Sequence, residues 1–353
     1  MRIYMCLCLV FLSSSLLSMK DSRYAPWKEL PKDLWVDIAS RTNPRTVLSL
    51  LQTAKAFKDL SQEYVNDRQT LREWMEDEYP FNQHLALGNG YTCVLKSNRK
   101  VICWGTIKFR AAEVPHRLSN IKSIVAGGHH TCALKDNDDA VCWGWDIDKQ
   151  STVPADLHDI KLMTAGGFHT CALKADGDVV CWGYNASGQS VVPDELHHVR
   201  SITAGGNHTC ALKQDRDVVC WGDNSSKQST VPQLLHNVKL IAAGFSHTCA
   251  LTDDDRVACW GDNPWARSPE ELHGVKSIAV GDYHTCALKK DGHVLCWGWN
   301  DHGQTHVPRD LHDVKFIAAG GGHSCAAQLD GKVICWGENQ WGESDVPLGL
   351  RLR

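Results

Sequence analysis

From about residue 85 onward, hydrophobic and polar positions alternate in short runs of period two, and one such run returns about every 39 residues. In its clearest copy, His169, Cys171 and Leu173 share one face of an extended segment and Thr170 and Ala172 share the other, which is the pattern of a strand. Asp176-Gly177 supplies a hairpin signal, and Val179 to Gly183 returns as a second strand rich in β-forming residues. Both faces carry apolar groups, so these strands are expected in an interior. A three-residue turn over Ala175 to Gly177, with Gly177 left-handed, pairs Lys174 with Asp178 and sets Cys171 opposite Cys181. Gly292 and Gly331 hold the same turn position, but Arg99, Asp138, Arg216 and Asp255 stand there in the other copies, so the turns are expected to differ in type. An apolar segment before each Gly-rich corner, such as Val238 to Gly244, gives every unit at least a third strand.

The cysteines set the register. Cys93 and Cys103, Cys132 and Cys142, Cys171 and Cys181, Cys210 and Cys220, Cys249 and Cys259, Cys286 and Cys296, and Cys325 and Cys335 each enclose nine residues, in steps of 39, 39, 39, 39, 37 and 39. Seven copies of a strand-bearing unit at fixed period imply a propeller or a solenoid. The unit reads Gly-Gly-x-His-Thr-Cys-Ala-Leu-Lys, then Asp-Gly, then Val-Cys-Trp-Gly, with Gln-Ser-x-Val-Pro tails at Gln189 to Pro193 and Gln228 to Pro232. These residues resemble the repeats of the regulator of chromosome condensation family. The short period and the tails are similar also to a compact bacterial propeller that inhibits β-lactamases. The resemblance covers roughly Phe81 to Pro347 and implies a mainly β chain, with a seven-bladed β-propeller over 81–349. Unit one, with Tyr91 where the later units have histidine, is the most divergent. Fold by itself does not give function.

Two different segments precede the repeats. Residues 1–18 place Arg2 before the apolar run Ile3 to Leu12, as a secretory signal peptide does. Residues 26–77 lack cysteine and glycine and carry helical periodicity, which predicts a small all-α module of three helices. Leu-Pro-x-Asp-Leu-x-x-x-Ile from Leu30, followed by Asn-Pro-Arg-Thr-Val-Leu-Ser-Leu, resembles an F-box. That resemblance implies docking on a Skp-type linker protein of a cullin ubiquitin ligase through Leu30, Pro31, Leu34, Ile38, Leu48 and Leu51. Tyr79-Pro80 closes the helical piece.

Charge and chemistry narrow the reading further. With 22% charged residues and net charge −4, no basic excess points to nucleic acid. The paired cysteines are either hairpin disulfides or small buried thiols between blades, and the signal-like start favours disulfides. No Cys-x-x-Cys occurs, so no zinc is expected. His130, His169, His208, His247, His284 and His323 recur once per unit and are expected to bridge backbone groups at each corner rather than to bind metal. The repeated Trp-Gly tryptophans are expected to pack between blades. No motif for acyl or phosphoryl transfer is present and no cofactor is expected, so the chain is expected not to be an enzyme.

Function is therefore sought where the repeats differ. Phe109, Trp145, Tyr184, Trp265, Trp299 and Trp341, with acids between them, are expected to form a partner-binding face at one end of the propeller. The first expectation is a non-enzymatic adaptor, its helices on the linker protein and its propeller on a protein target. The second is an exported binder or inhibitor with the helices as a cap, and a weaker third is guanine nucleotide exchange. Export and an F-box role meet only if the chain acts in a host cytoplasm. An unused signal-like segment would leave it cytoplasmic.

Overall fold

The computed structural model describes residues 84–106, 108–261, 267–269 and 272–352. The chain divides between Tyr79 and Pro80. The signal-like segment, the helical module with Leu30, Pro31, Leu34, Ile38, Leu48 and Leu51, and Trp265 all lie outside the described residues.

Each unit folds into one three-stranded antiparallel sheet, and the described residues hold seven of them. Blade 1 is β1 (Leu85–Leu87), β2 (Tyr91–Leu95) and β3 (Val101–Gly105); blade 3, which shows the repeat best, is β7 (Ile160–Ala165), β8 (His169–Lys174) and β9 (Val179–Gly183). Blade 7 is β19 (Val314–Ala319), β20 (His323–Gln328) and β21 (Val333–Gly337), so no blade borrows a strand from the far end of the chain. The first strands of successive blades face one another around the axis, β19 meeting β1.

The core is a set of wedges between blades rather than one centre. Between blades 3 and 4, Cys171 and Leu173 pack against Val199, Ile202, Ala211 and Trp221. The same arrangement recurs at each seam, including blade 7 against blade 1. A fully buried leucine in such a wedge contributes about 1.5–3 kcal/mol.

The hairpins follow the expected register. Lys174 N–H donates to Asp178 O at 2.8 Å, and Cys171 pairs with Cys181. Of the two states open to the cysteines, disulfide and buried thiol, every blade takes the first. Cys93 is bonded to Cys103, Cys132 to Cys142, Cys171 to Cys181 and Cys210 to Cys220. Cys249 is likewise bonded to Cys259, Cys286 to Cys296 and Cys325 to Cys335. Their Cα atoms lie 4.0–4.1 Å apart, the close spacing of a non-hydrogen-bonded antiparallel pair.

The expectation that the turns differ in type is corrected. Arg99, Asp138, Arg216 and Asp255 adopt φ of 63–72°, the left-handed conformation that glycine takes at 177, 292 and 331. Ion pairs accompany that conformation. Arg99 reaches Asp136 of blade 2, Arg216 reaches Asp253 of blade 5, and Asp255 holds both Lys239 and Lys290 at 2.5 Å.

The repeated polar residues join blade to blade. Thr170 Oγ1 donates to Gln150 O at 2.8 Å, and Trp182 Nε1–H donates to the same carbonyl at 3.0 Å. Because that hydroxyl has spent its one proton, His130 Nε2–H must donate to it, at 2.8 Å, and Nδ1 stays unprotonated. The histidine expectation is corrected accordingly. Each imidazole bonds the Thr or Ser hydroxyl of the next blade, not a backbone group, at 2.7–3.0 Å from His130 round to His323 on Thr92. Tyr91, in the divergent blade, donates instead to His130 O at 2.6 Å.

At the corners backbone bonds also join blade to blade. Seven N–H groups donate blade to blade, from Asn89 on Gly128 to Gly321 on Gly88, at 3.0–3.3 Å, with Gly167 N–H shared between Gly205 O and Gly206 O. A Cβ on Gly166 would lie 2.4 Å from Gly205 O and 2.4 Å from His169 Cε1. Gly166→Ala is therefore expected to cost about 2–3 kcal/mol by overpacking, read as a lower urea midpoint at unchanged slope.

Candidate protein-binding face

The corner end of the propeller is built from two variable positions per blade. One is the residue before the repeated corner histidine or tyrosine; the other follows Trp-Gly at the end of the third strand. Backbone bonds tie the two together, as Tyr184 N–H on Phe168 O at 2.9 Å and Trp299 N–H on Tyr283 O at 2.9 Å. Side chains at both positions consequently leave the ring side by side.

Across blades 1 to 3 these side chains, joined by Phe109 from the turn Lys108–Arg110 after β3, form a continuous arc. Phe109 stands 3.9 Å, centroid to centroid, from Trp145 at 65° and 4.8 Å from His129. His129 lies 5.9 Å from Phe168, which meets Tyr184 at 6.3 Å and 73°. All five rings are half-buried, and edge-to-face pairs of this kind add about 0.5–1.5 kcal/mol beyond their buried area. Burial, with Lys108 nearby, pushes the His129 imidazole below its usual range. Phe109 and Arg110 are consecutive left-handed residues, at φ 64° and 63°.

A second, shorter arc crosses blades 5 and 6, with Phe245 to Tyr283 at 5.6 Å and Tyr283 to Trp299 at 6.1 Å and 86°. Acids border it. Burial, then Glu338, pushes the Asp282 carboxyl up to about 6, and burial followed by Asp282 raises the Tyr283 phenol. In blade 4 the Ser225 N–H holds Asp223 below the usual carboxylate range.

Of the six aromatics expected to share this face, Phe109, Trp145 and Tyr184 come together in one arc, Trp299 sits in the other, and Trp341 stands apart, 56% exposed. His129, Phe168, Phe245 and Tyr283 escaped the sequence reading. For His129, Phe168 and Tyr283 the signal was present in the position before the corner residue, which reads Gly90, His129, Phe168, Asn207, Ser246, Tyr283 and Gly322 along the chain, and Phe245 stands one residue earlier in its blade. Among the described residues no group of His, Cys, Asp or Glu could hold a metal ion.

Seven three-stranded blades closed by backbone and side-chain bonds at every seam define a β-propeller, with its variable side chains gathered at the corner end. The pattern of the regulator of chromosome condensation (RCC1) repeat matches six segments, 121–150, 160–189, 199–228, 238–264, 275–304 and 314–342, which are blades 2 to 7. The chain belongs to the family built from these repeats. It is similar to the ectodomain of the receptor kinase CR4 from Physcomitrella patens, at 30% identity over 72% of this chain and 73% of that one, with TM-score 0.61. It is similar also to the CRINKLY WD40 ectodomain of the receptor kinase ACR4 from Arabidopsis thaliana, at 28% identity over 72% and 95% of the two chains, with TM-score 0.58. Human WBSCR16 shares the fold, at 18% identity over 69% and 86%, with TM-score 0.59. No curated protein sequence matches the chain.

Proposed function

We propose that the chain is a non-enzymatic binding protein, exported and disulfide-bonded, that docks another protein on the corner face of its propeller. The observation that carries this reading is the arc of five half-buried rings on blades 1 to 3, placed where the repeats stop sharing residues. Clustered, rigid aromatics within a polar rim are the composition of binding hot spots. The left-handed Phe109 adds to it, since a bulky residue held there costs about 1–3 kcal/mol and such strain gathers at ligand clamps. Seven disulfides suit an oxidising compartment, and the two plant relatives are ectodomains.

The test is capture of partners from extracellular medium by the wild type, by Phe168→Ala with Tyr184→Ala, and by Asp176→Ala with Asp215→Ala at the hairpin end. The aromatic pair is expected to lose at least about tenfold in binding and the hairpin pair nothing. Equal capture by all three would overturn the reading.

A second reading keeps the adaptor role, on the strength of the Leu30-Pro31 to Leu51 motif. In it the segment carrying that motif docks a Skp-type linker and the propeller face holds the target. Binding of purified Skp by the wild type but not by Leu34→Asp with Ile38→Asp would favour it; no binding by either would remove it.

A further inference from the structure

We propose that Asn185 and Asn224 accept N-linked oligosaccharide when the chain passes through a eukaryotic secretory pathway, placing one glycan on each of blades 3 and 4. Three Asn-x-Ser/Thr triplets occur among the described residues, Asn185-Ala186-Ser187, Asn207-His208-Thr209 and Asn224-Ser225-Ser226, and each is a formal acceptor for glycosylation. Their surroundings separate them.

Asn185 and Asn224 hold the same place in their blades, on exposed loops just beyond the third strand. At this position the side-chain oxygen is architectural. Asn185 Oδ1 accepts Ser190 N–H at 3.0 Å and Asn224 Oδ1 accepts Ser229 N–H at 3.1 Å, as Asn300 and Asn339 do for Thr305 and Ser344 at 2.9 and 3.0 Å. With the oxygen turned inward, the carboxamide nitrogen is the outward end. Among the described residues no group pairs with Asn185 Nδ2, while Asn224 Nδ2 uses one of its two protons on Thr230 Oγ1, at 3.0 Å. Substitution of one Nδ2 proton at Asn185 thus leaves every hydrogen bond of the loop in place, and at Asn224 it does so when the proton replaced is the one not on Thr230. The serine two residues on is not required by the loop, because His302 and Trp341 occupy that position in blades 6 and 7.

Asn207 is the contrasting case. It is half-buried at a corner, and its Oδ1 accepts Gln189 Nε2–H at 3.2 Å. Its triplet continues into His208 and Thr209, both fully buried in the seams between blades. A glycan there is not expected on folded, secreted protein.

The transfer itself needs a polyprenyl-pyrophosphate-linked oligosaccharide as co-reactant. The amide Nδ2 attacks the anomeric carbon, the Nδ2–C bond forms as the C–O bond to pyrophosphate breaks, the lipid pyrophosphate leaves with the electron pair, and one Nδ2 proton goes to a base of the transferase. Nothing is oxidised or reduced. A sugar on Asn185 would flank Tyr184, so that a partner reaching the arc approaches from blades 1 and 2 or from the axis.

The inference rests on the export reading but not on the docking of a partner, and the experiment keeps these apart. The full chain is expressed in cultured insect cells behind its own N-terminus, and in parallel behind a heterologous secretory leader. Secreted protein is expected to run two mobility steps high and to collapse on treatment with peptide N-glycosidase. Asn185→Gln and Asn224→Gln should each remove one step, and Asn207→Gln none. Mass spectrometry after the glycosidase should find aspartate at 185 and 224. Glycans gained only behind the heterologous leader would support the acceptor sites while removing export by the native segment. Secreted protein without glycan at 185 and 224, or with glycan at 207 alone, would overturn the proposal.

Discussion

Acidified from pH 7 to pH 4, the propeller is expected to unfold in one steep transition, because six imidazoles that it holds neutral must take up protons. In the unfolded chain a histidine titrates near 6.5. In the ring, burial pushes His130, His208 and His247 down to about 4, and His169, His284 and His323 down to about 3. Burial is the leading cause throughout, joined at His169 by the imidazoles of His130 and His208. Below 6.5 the unfolded chain therefore binds up to six protons that the folded chain refuses, and stability falls as pH falls. Asp282 opposes this by one proton, since its folded value of about 6 lies above that of a free carboxyl. A net five protons amount to about 7 kcal/mol per pH unit. A margin of about 5–15 kcal/mol is then lost within roughly one to two units. The stabilisation is whole above about pH 6.5 and declines toward the folded values of about 4 and about 3. Urea midpoints measured from pH 7 to 4 check this; a flat profile between 7 and 5 would contradict it.

Reduction of the seven disulfides at neutral pH should unfold the ring as well. Each closes a loop of sequence separation 10, for which the chain-entropy relation gives about 2–3 kcal/mol. Seven together, at about 14–21 kcal/mol, exceed the usual margin of a domain of about 5–15 kcal/mol. Removal of a single bridge, by Cys210→Ala together with Cys220→Ala, should cost about 2–3 kcal/mol and leave the ring intact. Circular dichroism before and after a phosphine reductant reads the first effect. Thiol titration in denaturant without reductant should find none of the fourteen repeat cysteines free. Retention of native ellipticity after all fourteen are reduced would contradict the expectation.

What the chain discloses before folding depends on the range of the interaction. Cys171 opposite Cys181 is local: a three-residue turn fixes it, and the turn was legible in Ala175 to Gly177. The left-handed Arg99 and Asp138 were not, because propensity disfavours them there and tertiary ion pairs accompany them instead. His130 was recognised as structural, yet its partner Thr170 lies on the next blade, and nothing within one strand reveals that neighbour. The same holds for Gln150, whose carbonyl receives two bonds across a seam. At the binding face, the residues after Trp-Gly stood out against an invariant pair. Phe168 and Tyr283 did not, because a Gly-rich corner reads as a turn until folding shows its side chains meeting Tyr184 and Trp299 edge to face.

The join between blades 7 and 1 carries the bonds found at the other seams, with His323 on Thr92 at 2.7 Å and Thr92 and Trp104 both on Glu343 O at 2.9 Å. Where the polypeptide is cut is thus topologically arbitrary. Linking residue 352 to 84 and reopening the circle between any two blades should yield a permutant with the same sheets, in which any of the seven units could come first.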